Sequence, residues 1–394
     1  MRRVRSPSSA ALALTLTAAF GVSGCSLGGE SDRPPQLGTK SDDKEAAVKL
    51  GFPSSATKNT VRVGGADATA DAAGVASAVF PATATSNRPT AVVLVDKDDW
   101  QGGVTAAVLA SRPIGAPILI SDGDELPAVT EDTLKRLKPT GSDLSKDAQV
   151  IRIGDKPARP EGFKTAVLEG KDPYDRAAAI DRFFSAARGK PSADVVVASG
   201  EKAEFAMPAA AWAARSGDSV LLTKRDSVPP ATVKALKAHQ DANIYVLGPP
   251  SAISPKVITQ LKKLGKVVRI QGRNPVTNAI AFARYQKGGF GWGVVVPGYN
   301  FTVAGTSRPL NAAASAALAT RGVFAPLLLT DDAKDLPKAL EEYLLSVQPG
   351  YEDDPGQAVY NRVWLLGDDK QISVPEQARI DQITELIPVQ ANAP

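Results

Sequence analysis

Acidic residues that directly follow predicted strands are the side chains of this chain that could do chemistry. They are Asp96, Asp98 and Asp99, then Asp122, Asp124 and Glu125, then Asp331, Asp332 and Asp335, and finally Asp368 and Asp369. Paired carboxylates could serve a glycosidase, and a run of carboxylates could hold calcium. However, Trp100 and Gln101 interrupt the calcium-loop spacing, and no further motif supports a glycosidase. The pattern favours solvated loops that cap helices, so we predict no catalytic residue and no metal site.

Other catalytic constellations lack the necessary residues. The chain contains one histidine, His239, which leaves almost no material for a Ser-His-Asp triad or a histidine-rich zinc site. We expect His239 to be an exposed residue near a helix end. Gly289, Gly291 and Gly293 are spaced like part of a dinucleotide loop, but they precede a predicted strand instead of following one. We therefore expect a flexible connection there, no enzyme and no cofactor.

A unit of about one hundred residues repeats three times. Each unit opens with a strand that ends at Gly65, Gly170 or Gly272. Each closes with an apolar strand and a glycine, at residues 149–154, 243–248 and 362–367. Between them the pattern predicts two further strands and three helices. Because strands alternate with helices, we predict α/β modules whose parallel sheets carry helices on both faces. The predicted fold is three tandem Rossmann-like, doubly wound modules, each with a mainly parallel four-stranded sheet, packed together.

The second strand of each unit is predicted from β-branched runs at 91–95, 195–198 and 294–296. Open parallel sheets bind ligands beyond the carboxyl ends of their strands, which selects the loops that follow these runs. The candidate ligand residues in those loops, suited to a sugar or a phosphate, are Lys97, Asp98, Trp100, Glu201, Lys202, Tyr299 and Asn300. Capping of strand ends accounts for each of them equally well when it is taken alone.

The N-terminal segment has the pattern of an export signal. Three arginines precede an apolar stretch at residues 10–20 that is too short to span a bilayer. The lipobox residues that follow, by resemblance to bacterial lipoproteins, are Val22, Ser23, Gly24 and Cys25. In such a motif signal peptidase II cuts before the cysteine, and the cysteine carries lipid. An ordinary secretory signal is the alternative. Since Cys25 is the sole cysteine, no disulfide can form within the chain.

The predicted boundaries follow from these patterns. They are a signal peptide at 1–24, the lipidated cysteine and a flexible tether at 25–58, and repeats at 59–160, 161–265 and 266–394. The tether has too little apolar content to fold and would span roughly 30 Å as a coil. The formal net charge of +4 comes largely from the signal arginines. The remaining chain is nearly neutral, so we expect no nucleic-acid partner.

Residues 244–254, continuing through 261–265 to 268–273, resemble the cell-wall-binding repeat type 2 family. The family pattern there is a strand ending Leu-Gly-Gly, an Ile/Val-Ser turn, a helix, and Arg-Ile-x-Gly-x-x-Arg. Residues 326–330 fit the family's Pro-Ile-Leu-Leu-Thr strand, and residues 200–206 match its Gly-Asp-x-Phe-x-Asp-Ala-Leu motif in part. The resemblance extends over about residues 60–390. It implies three packed modules that attach proteins non-covalently to anionic wall glycopolymers.

These observations predict a non-catalytic surface lipoprotein of the cell envelope. Its partners would be an anionic cell-wall glycopolymer, or another polymer associated with peptidoglycan, and the membrane through the N-terminal lipid. The alanine-rich composition is typical of a high-GC genome such as an actinobacterium's. Two alternatives stay open. One is a solute-binding lipoprotein of the periplasmic-binding type, which has two lobes around one cleft. The other is an envelope scaffold that binds a protein partner.

Overall fold

The computed structural model describes residues 53–320 and 324–389 of the 394-residue chain. The predicted signal peptide at 1–24, Cys25 with its lipobox and most of the predicted tether lie outside the described residues. Among the helices that are described, none combines the length and the apolar character needed to cross a bilayer.

Short strands alternate with helices along the described chain. The strands are β1 Pro53–Ala56, β2 Thr60–Val63, β3 Val92–Asp96, β4 Ile118–Ser121, β5 Val150–Ile153, β6 Thr165–Leu168, β7 Asp194–Ser199, β8 Val220–Thr223, β9 Asn243–Leu247, β10 Lys266–Ile270, β11 Asn300–Gly305, β12 Leu327–Thr330, β13 Gly350–Tyr351, β14 Arg362–Leu366 and β15 Ile387–Pro388. The helices are α1 Ala68–Val79, α2 Trp100–Ala106, α3 Ala128–Leu137, α4 Pro173–Arg188, α5 Ala203–Ser216, α6 Pro230–Ala238, α7 Pro255–Leu261, α8 Pro275–Arg284, α9 Asn311–Thr320, α10 Lys338–Ser346 and α11 Val374–Ile383.

Three parallel sheets organise these strands. The first sheet has the order β4-β3-β5-β6, the second β8-β7-β9-β10, and the third β12-β11-β14-β2 with β1 added at its edge. Strand β1, which lies inside the segment predicted as tether, pairs antiparallel with β2. Strands such as β3 and β5 are buried along their whole length, as expected for sheets covered by helices on both faces. The prediction of three Rossmann-like α/β modules is confirmed.

The sheets do not follow the unit limits predicted from the sequence. The opening strand of each predicted unit joins the sheet of the preceding unit, so that β6 lies beside β5 and β10 beside β9. The first opening strand, β2, has no preceding unit and pairs with β14 of the third sheet. In each sheet one strand therefore comes from another unit. The second unit supplies β6 to the first sheet, the third unit supplies β10 to the second sheet, and the first unit supplies β2 to the third sheet.

Three helices rich in alanine or glycine, α2, α5 and α9, pack against one another and connect the three sheets. Their alanines are almost completely buried, and small side chains let the helices approach closely. Gly103 of α2 shows how close the approach is. A Cβ atom there would lie 2.8 Å from a methyl carbon of Leu310 and 3.1 Å from Cβ of Ala313. A larger residue at this position would push two modules apart.

The second strand of the third unit is not where the sequence placed it. Residues 294–296 form no strand, and the side chains of Val295 and Val296 are 52% and 53% exposed. The strand is β11, Asn300–Gly305, which pairs with both β12 and β14. The β-branched run favoured the wrong segment because strand position here is decided by pairing with β12 and β14.

Arginines on the strands hold the loops that follow the closing strand of each unit. Arg62 donates to the carbonyls of Gly367 and Ile372, at 3.0 and 2.7 Å. Arg269 makes the equivalent bonds to Gly248 and Ile253, both at 2.7 Å. Gly248 and Gly367 have φ of 128° and 109°, a left-handed backbone that suits glycine. These arginines are therefore structural.

Candidate functional site

The loop after β3 carries two predicted ligand residues, and its polar groups are engaged locally. The carboxylate of Asp96 is buried, and its Oδ1 accepts from the backbone N–H of Asp98 at 3.1 Å. Lys97 is exposed, with Nζ 3.6 Å from Asp98 Oδ2 and 3.5 Å from Asp122 Oδ1. The nearby carboxylates raise the pKa of Lys97. This loop presents mixed charges to solvent.

The other predicted residues at this edge also serve the fold. Trp100 begins α2 and packs against the hydrophobic core. Glu201 Oε2 accepts from the backbone N–H of Arg225 at 2.9 Å, which ties two loops of the second module together. Lys202 precedes α5, and its backbone N–H donates to Ser199 Oγ at 3.0 Å. The contacts that the structure shows at these positions lie within the protein.

The structure brings two of the predicted loops together and separates the third. The loops after β3 and β7 touch, because Gln101 Nε2 donates to the carbonyl of Gly200 at 3.3 Å. Tyr299 and Asn300 lie at the amino end of β11, the opposite end of its sheet. This placement corrects the prediction that they follow a strand. The loop that actually follows β11 contains Arg308.

Ion pairs join the modules at equivalent positions with reversed charge. Asp71, Arg176 and Asn278 each lie six residues after the glycine that ends an opening strand. Arg308 Nη1 lies 3.1 Å from Asp71 Oδ2, whereas Asp99 Oδ1 lies 2.9 Å from Arg176 Nη2. At the third junction the position is neutral, and Asn278 Nδ2 is buried without a hydrogen-bond partner. Each junction therefore has its own polar pairing, although the backbone repeats.

Asp71 is the most strongly perturbed of these groups. Its side chain is completely buried, and Oδ1 accepts from the backbone N–H of Gly65 at 2.7 Å. Burial raises its pKa to about 7, and the charge of Arg308 opposes this rise without cancelling it. Arg308 also lies 3.2 Å from Asp368, so its guanidinium bridges two carboxylates.

A cavity of about 920 Å³ lies between the second and third sheets. It opens at the amino ends of their strands, because Asp194 begins β7 and Asn300 begins β11, and both line it. The other walls are the carboxyl ends of α4 and α5 and the segment 286–299. Predicted residue Tyr299 lines the same cavity. Its volume is within the range of small-molecule sites. We call it the inter-sheet cavity.

Aromatic rings form one wall of the inter-sheet cavity. Trp292 packs edge-on against Trp212, with ring centroids 5.4 Å apart and planes at 75°. Trp212 in turn packs on Phe290, with centroids 4.8 Å apart, and its Nε1 donates to Asp218 Oδ2 at 2.9 Å. The second oxygen of Asp218 accepts from Ser192 Oγ at 2.6 Å. Burial raises the pKa of Asp218, while these hydrogen bonds lower it. The contact with Phe290 and the hydrogen bond to Asp218 therefore fix the position of the Trp212 ring in this wall.

Exposed cations form the rim of the inter-sheet cavity: Arg188, Lys190 and Arg215. Arg188 Nη1 donates to the carbonyl of Gly217 at 2.8 Å, and the guanidinium of Arg215 lies 4.8 Å from the ring centroid of Phe324. Among residues 53–320 and 324–389, none of the three cations has a carboxylate within ion-pair distance. An anion could therefore pair with these cations without first breaking an ion pair to a carboxylate.

His239 is buried, so the expectation of an exposed helix-end residue is wrong. Its side chain is 1% exposed, with Nε2 2.9 Å from Asp181 Oδ1 and Nδ1 2.7 Å from the carbonyl of Ser192. Burial lowers the pKa of His239, but its hydrogen bond with Asp181 and the negative charge of Asp181 raise it further, above the ordinary value. The histidine thus joins α4 to the loop that carries Ser192 at the inter-sheet cavity.

The described residues offer little for catalysis. No group of three or more His, Cys, Asp or Glu side chains within them could hold a metal ion. Asp218 lines the inter-sheet cavity, but both of its carboxylate oxygens accept hydrogen bonds, one from Trp212 Nε1 and the other from Ser192 Oγ. What the inter-sheet cavity combines is flat aromatic surface and unpaired positive charge.

Sequence reasoning missed Trp212 and Trp292 as cavity residues. The available signal was the run Gly288-Gly289-Phe290-Gly291-Trp292-Gly293, which has no counterpart in the first two units. Gly291 has φ of 102°, and a Cβ atom there would lie 2.2 Å from the carbonyl oxygen of Tyr285. The glycines thus let the segment fold tightly enough to present its aromatic rings.

Comparisons with known proteins agree with this architecture. Residues 167–258 match the family model of Cell wall binding domain 2 (CWB2). Among curated proteins, N-acetylmuramoyl-L-alanine amidase LytC of Bacillus subtilis (strain 168) is 25% identical over 235 residues, 57% of this chain and 43% of that protein. The amidase enhancer of the same organism is 26% identical over 202 residues, 50% of this chain and 27% of that protein.

Among solved structures, Cwp8 from Clostridium difficile matches with a TM-score of 0.63 and 21% identity, covering 83% of this chain and 52% of that one. Cwp6 from the same organism gives 0.61 and 21%, covering 85% and 49%. The chain thus spans about half of these structures and less than half of the curated relatives. The likeness to the two structures shows a shared fold, and the family match is confined to residues 167–258.

Proposed function

We propose that this protein is a non-catalytic surface lipoprotein that binds an anionic cell-envelope glycopolymer. The match of residues 167–258 to Cell wall binding domain 2 carries the proposal. The three parallel sheets support it, because the same fold recurs in Cwp8 and Cwp6. The protein would be extracytoplasmic, attached to the membrane by lipid on Cys25 and to the wall by its modules.

Two observations argue against the alternatives. A solute-binding lipoprotein of the periplasmic-binding type has two lobes around one cleft, whereas the described chain has three parallel sheets linked by exchanged strands. An amidase, as in the name of one relative, needs reactive groups. Among the buried carboxylates of the described residues, Asp71, Asp96, Asp181 and Asp218 are hydrogen-bonded to neighbouring groups, and Glu376 is only 2% exposed. A scaffold that binds a protein partner is left as an outcome of the test.

The test is cosedimentation of the purified full-length chain with actinobacterial cell walls, before and after acid removal of the secondary glycopolymers. We expect saturable binding that is lost from stripped walls. Equal binding to both wall samples would assign the affinity to peptidoglycan itself. No binding to either would contradict the proposal and favour a protein partner. The same walls, incubated with the protein and assayed for released reducing ends and amino groups, should show no hydrolysis.

The lipid anchor is tested separately. Cys25→Ser should abolish incorporation of labelled palmitate and move the protein from the membrane fraction to the soluble fraction. Ser23→Ala, inside the same motif, serves as the matched control and should leave labelling intact, because the lipid is carried by the thiol. Labelling that persists in Cys25→Ser would show that the motif is not a lipobox.

A further inference from the structure

The inter-sheet cavity is a feature of the third unit and not of the repeat. Segment 286–299, which forms one wall, connects α8 to β11, whereas Gly189 and residues 190–193 make the corresponding connection in the second unit. Phe290 anchors the longer segment to the second module, because its ring stacks on Tyr245 with centroids 3.4 Å apart and planes at 1°. The wall is thus packed in place before any ligand arrives.

Two kinds of surface meet in this cavity. Tyr299 is 38% exposed and Trp292 is partly exposed, so aromatic faces are open to the cavity. The apolar C–H face of a sugar ring packs well on such a surface, because the aromatic face carries partial negative charge. Arg188, Lys190 and Arg215 place positive charge at the rim, and guanidinium groups pair with carboxylate or phosphate oxygens.

We propose that the inter-sheet cavity binds a short segment of an anionic saccharide, stacking one sugar ring on Trp292 and Tyr299 and pairing its acidic groups with Arg188 and Arg215. This site deepens the proposed function and rests on it. It differs from the carboxyl-edge loops that the sequence favoured. Because segment 286–299 forms one wall, the third unit contributes to this site in a way that the second unit, with its shorter connection, does not.

The first test compares matched substitutions in the full-length chain by cosedimentation with intact walls. Tyr299→Ala and Arg215→Ala should each weaken binding by about tenfold, because each removes one contact that the proposed complex needs. The controls are Tyr360→Ala and Arg225→Ala, which remove an exposed aromatic ring and an exposed cation elsewhere. Both controls should bind as the unsubstituted protein does.

The second test observes the cavity directly through tryptophan fluorescence. The probes are hexagalacturonate for carboxylate, polyglycerol phosphate for phosphodiester, and maltohexaose as the neutral match. An anionic probe should quench saturably, salt should weaken the effect, and maltohexaose should leave the signal unchanged. Trp292→Phe keeps a ring for stacking and should lose the quench while still binding walls. Quenching of the fluorescence by hexagalacturonate would indicate that the site recognises carboxylate groups, and quenching by polyglycerol phosphate would indicate phosphodiester groups.

The two tests distinguish failure of the cavity proposal from failure of the proposed function. If the unsubstituted protein binds walls and Tyr299→Ala and Arg215→Ala bind them equally well, the cavity proposal is wrong while the proposed function stands. If the unsubstituted protein fails to bind walls, the proposed function fails, and the fluorescence titration decides about the cavity. Absence of quenching by both anionic probes then overturns the cavity proposal as well. A matched melting temperature for each variant excludes misfolding as the cause.

Discussion

Replacing Asp71 with asparagine should change how stability depends on pH. Asp71 is completely buried at the junction between the third and first modules, next to Arg308. Asparagine keeps an oxygen that can accept from the backbone N–H of Gly65, as Asn278 does from Gly272 at 3.1 Å at the equivalent position. Since Arg308 retains Asp368, the substitution leaves no cation buried alone.

The magnitude follows from the pKa. Burial raises the pKa of Asp71 from 3.8 to about 7, so the folded protein holds a proton that the unfolded chain releases in this interval. This contribution to stability is therefore fully present below pH 4, is lost as the pH rises from 4 to 7, and is constant above that range. A shift of about three units corresponds to about 4 kcal/mol, of which about 3 kcal/mol is lost between pH 5 and pH 8. Asparagine does not titrate, so this part of the decline should vanish.

Urea unfolding at pH 5, 6, 7 and 8 measures this effect. The free energy of unfolding of Asp71→Asn, minus that of the unsubstituted chain, should increase by about 3 kcal/mol from pH 5 to pH 8. Asn278→Asp is the reciprocal variant. It places a carboxylate at a completely buried position, and its deficit should grow over the same range. If the Asp71→Asn difference is the same at pH 5 and pH 8, the ion pair with Arg308 offsets burial fully and the reasoning is refuted.

Three further substitutions test the packing. Arg269→Ala should cost about 2 kcal/mol in urea unfolding, because two loop carbonyls lose a charged donor, and it should expose that loop to limited proteolysis. Phe290→Ala should cost about 4 kcal/mol and Tyr360→Ala almost nothing, because the first ring is 1% exposed and the second 55%; equal melting temperatures would contradict this. His239→Gln should be less stable than the unsubstituted chain at pH 6, and the deficit should shrink as the pH rises. The raised pKa of His239 means that its pair with Asp181 stabilises fully below pH 6.5 and is lost above that pKa, so a constant deficit from pH 6 to pH 9 would argue against it.

Local patterns predicted most of the fold. Runs of apolar residues closed by glycine placed β5, β9 and β14 correctly, because a buried strand and a left-handed turn are both encoded over a few residues. Such local patterns could not predict that β2 pairs with β14. Their hydrophobic patterns fit any of the three sheets, and only tertiary packing selects the partner.

The site was harder to predict for a related reason. The rule that ligands bind at carboxyl strand ends selected Lys97, Glu201 and their neighbours, whose contacts are local in the structure. Tyr299 and Asn300 were chosen because residues 294–296 looked like a strand, yet both line the inter-sheet cavity. A cavity between two modules depends on how the modules pack, and no single stretch of sequence contains that information.

The exchanged strands also set the order in which the fold can be completed. Strand β2 is synthesised about three hundred residues before its neighbour β14, so the two cannot meet until the third module has emerged. Until then β2 lacks its parallel neighbour, and that edge is available to other extended chains. Such a long separation in sequence slows folding. A chain exported in the unfolded state would meet this condition naturally, because its first strand would be waiting on the far side of the membrane when its last module arrives.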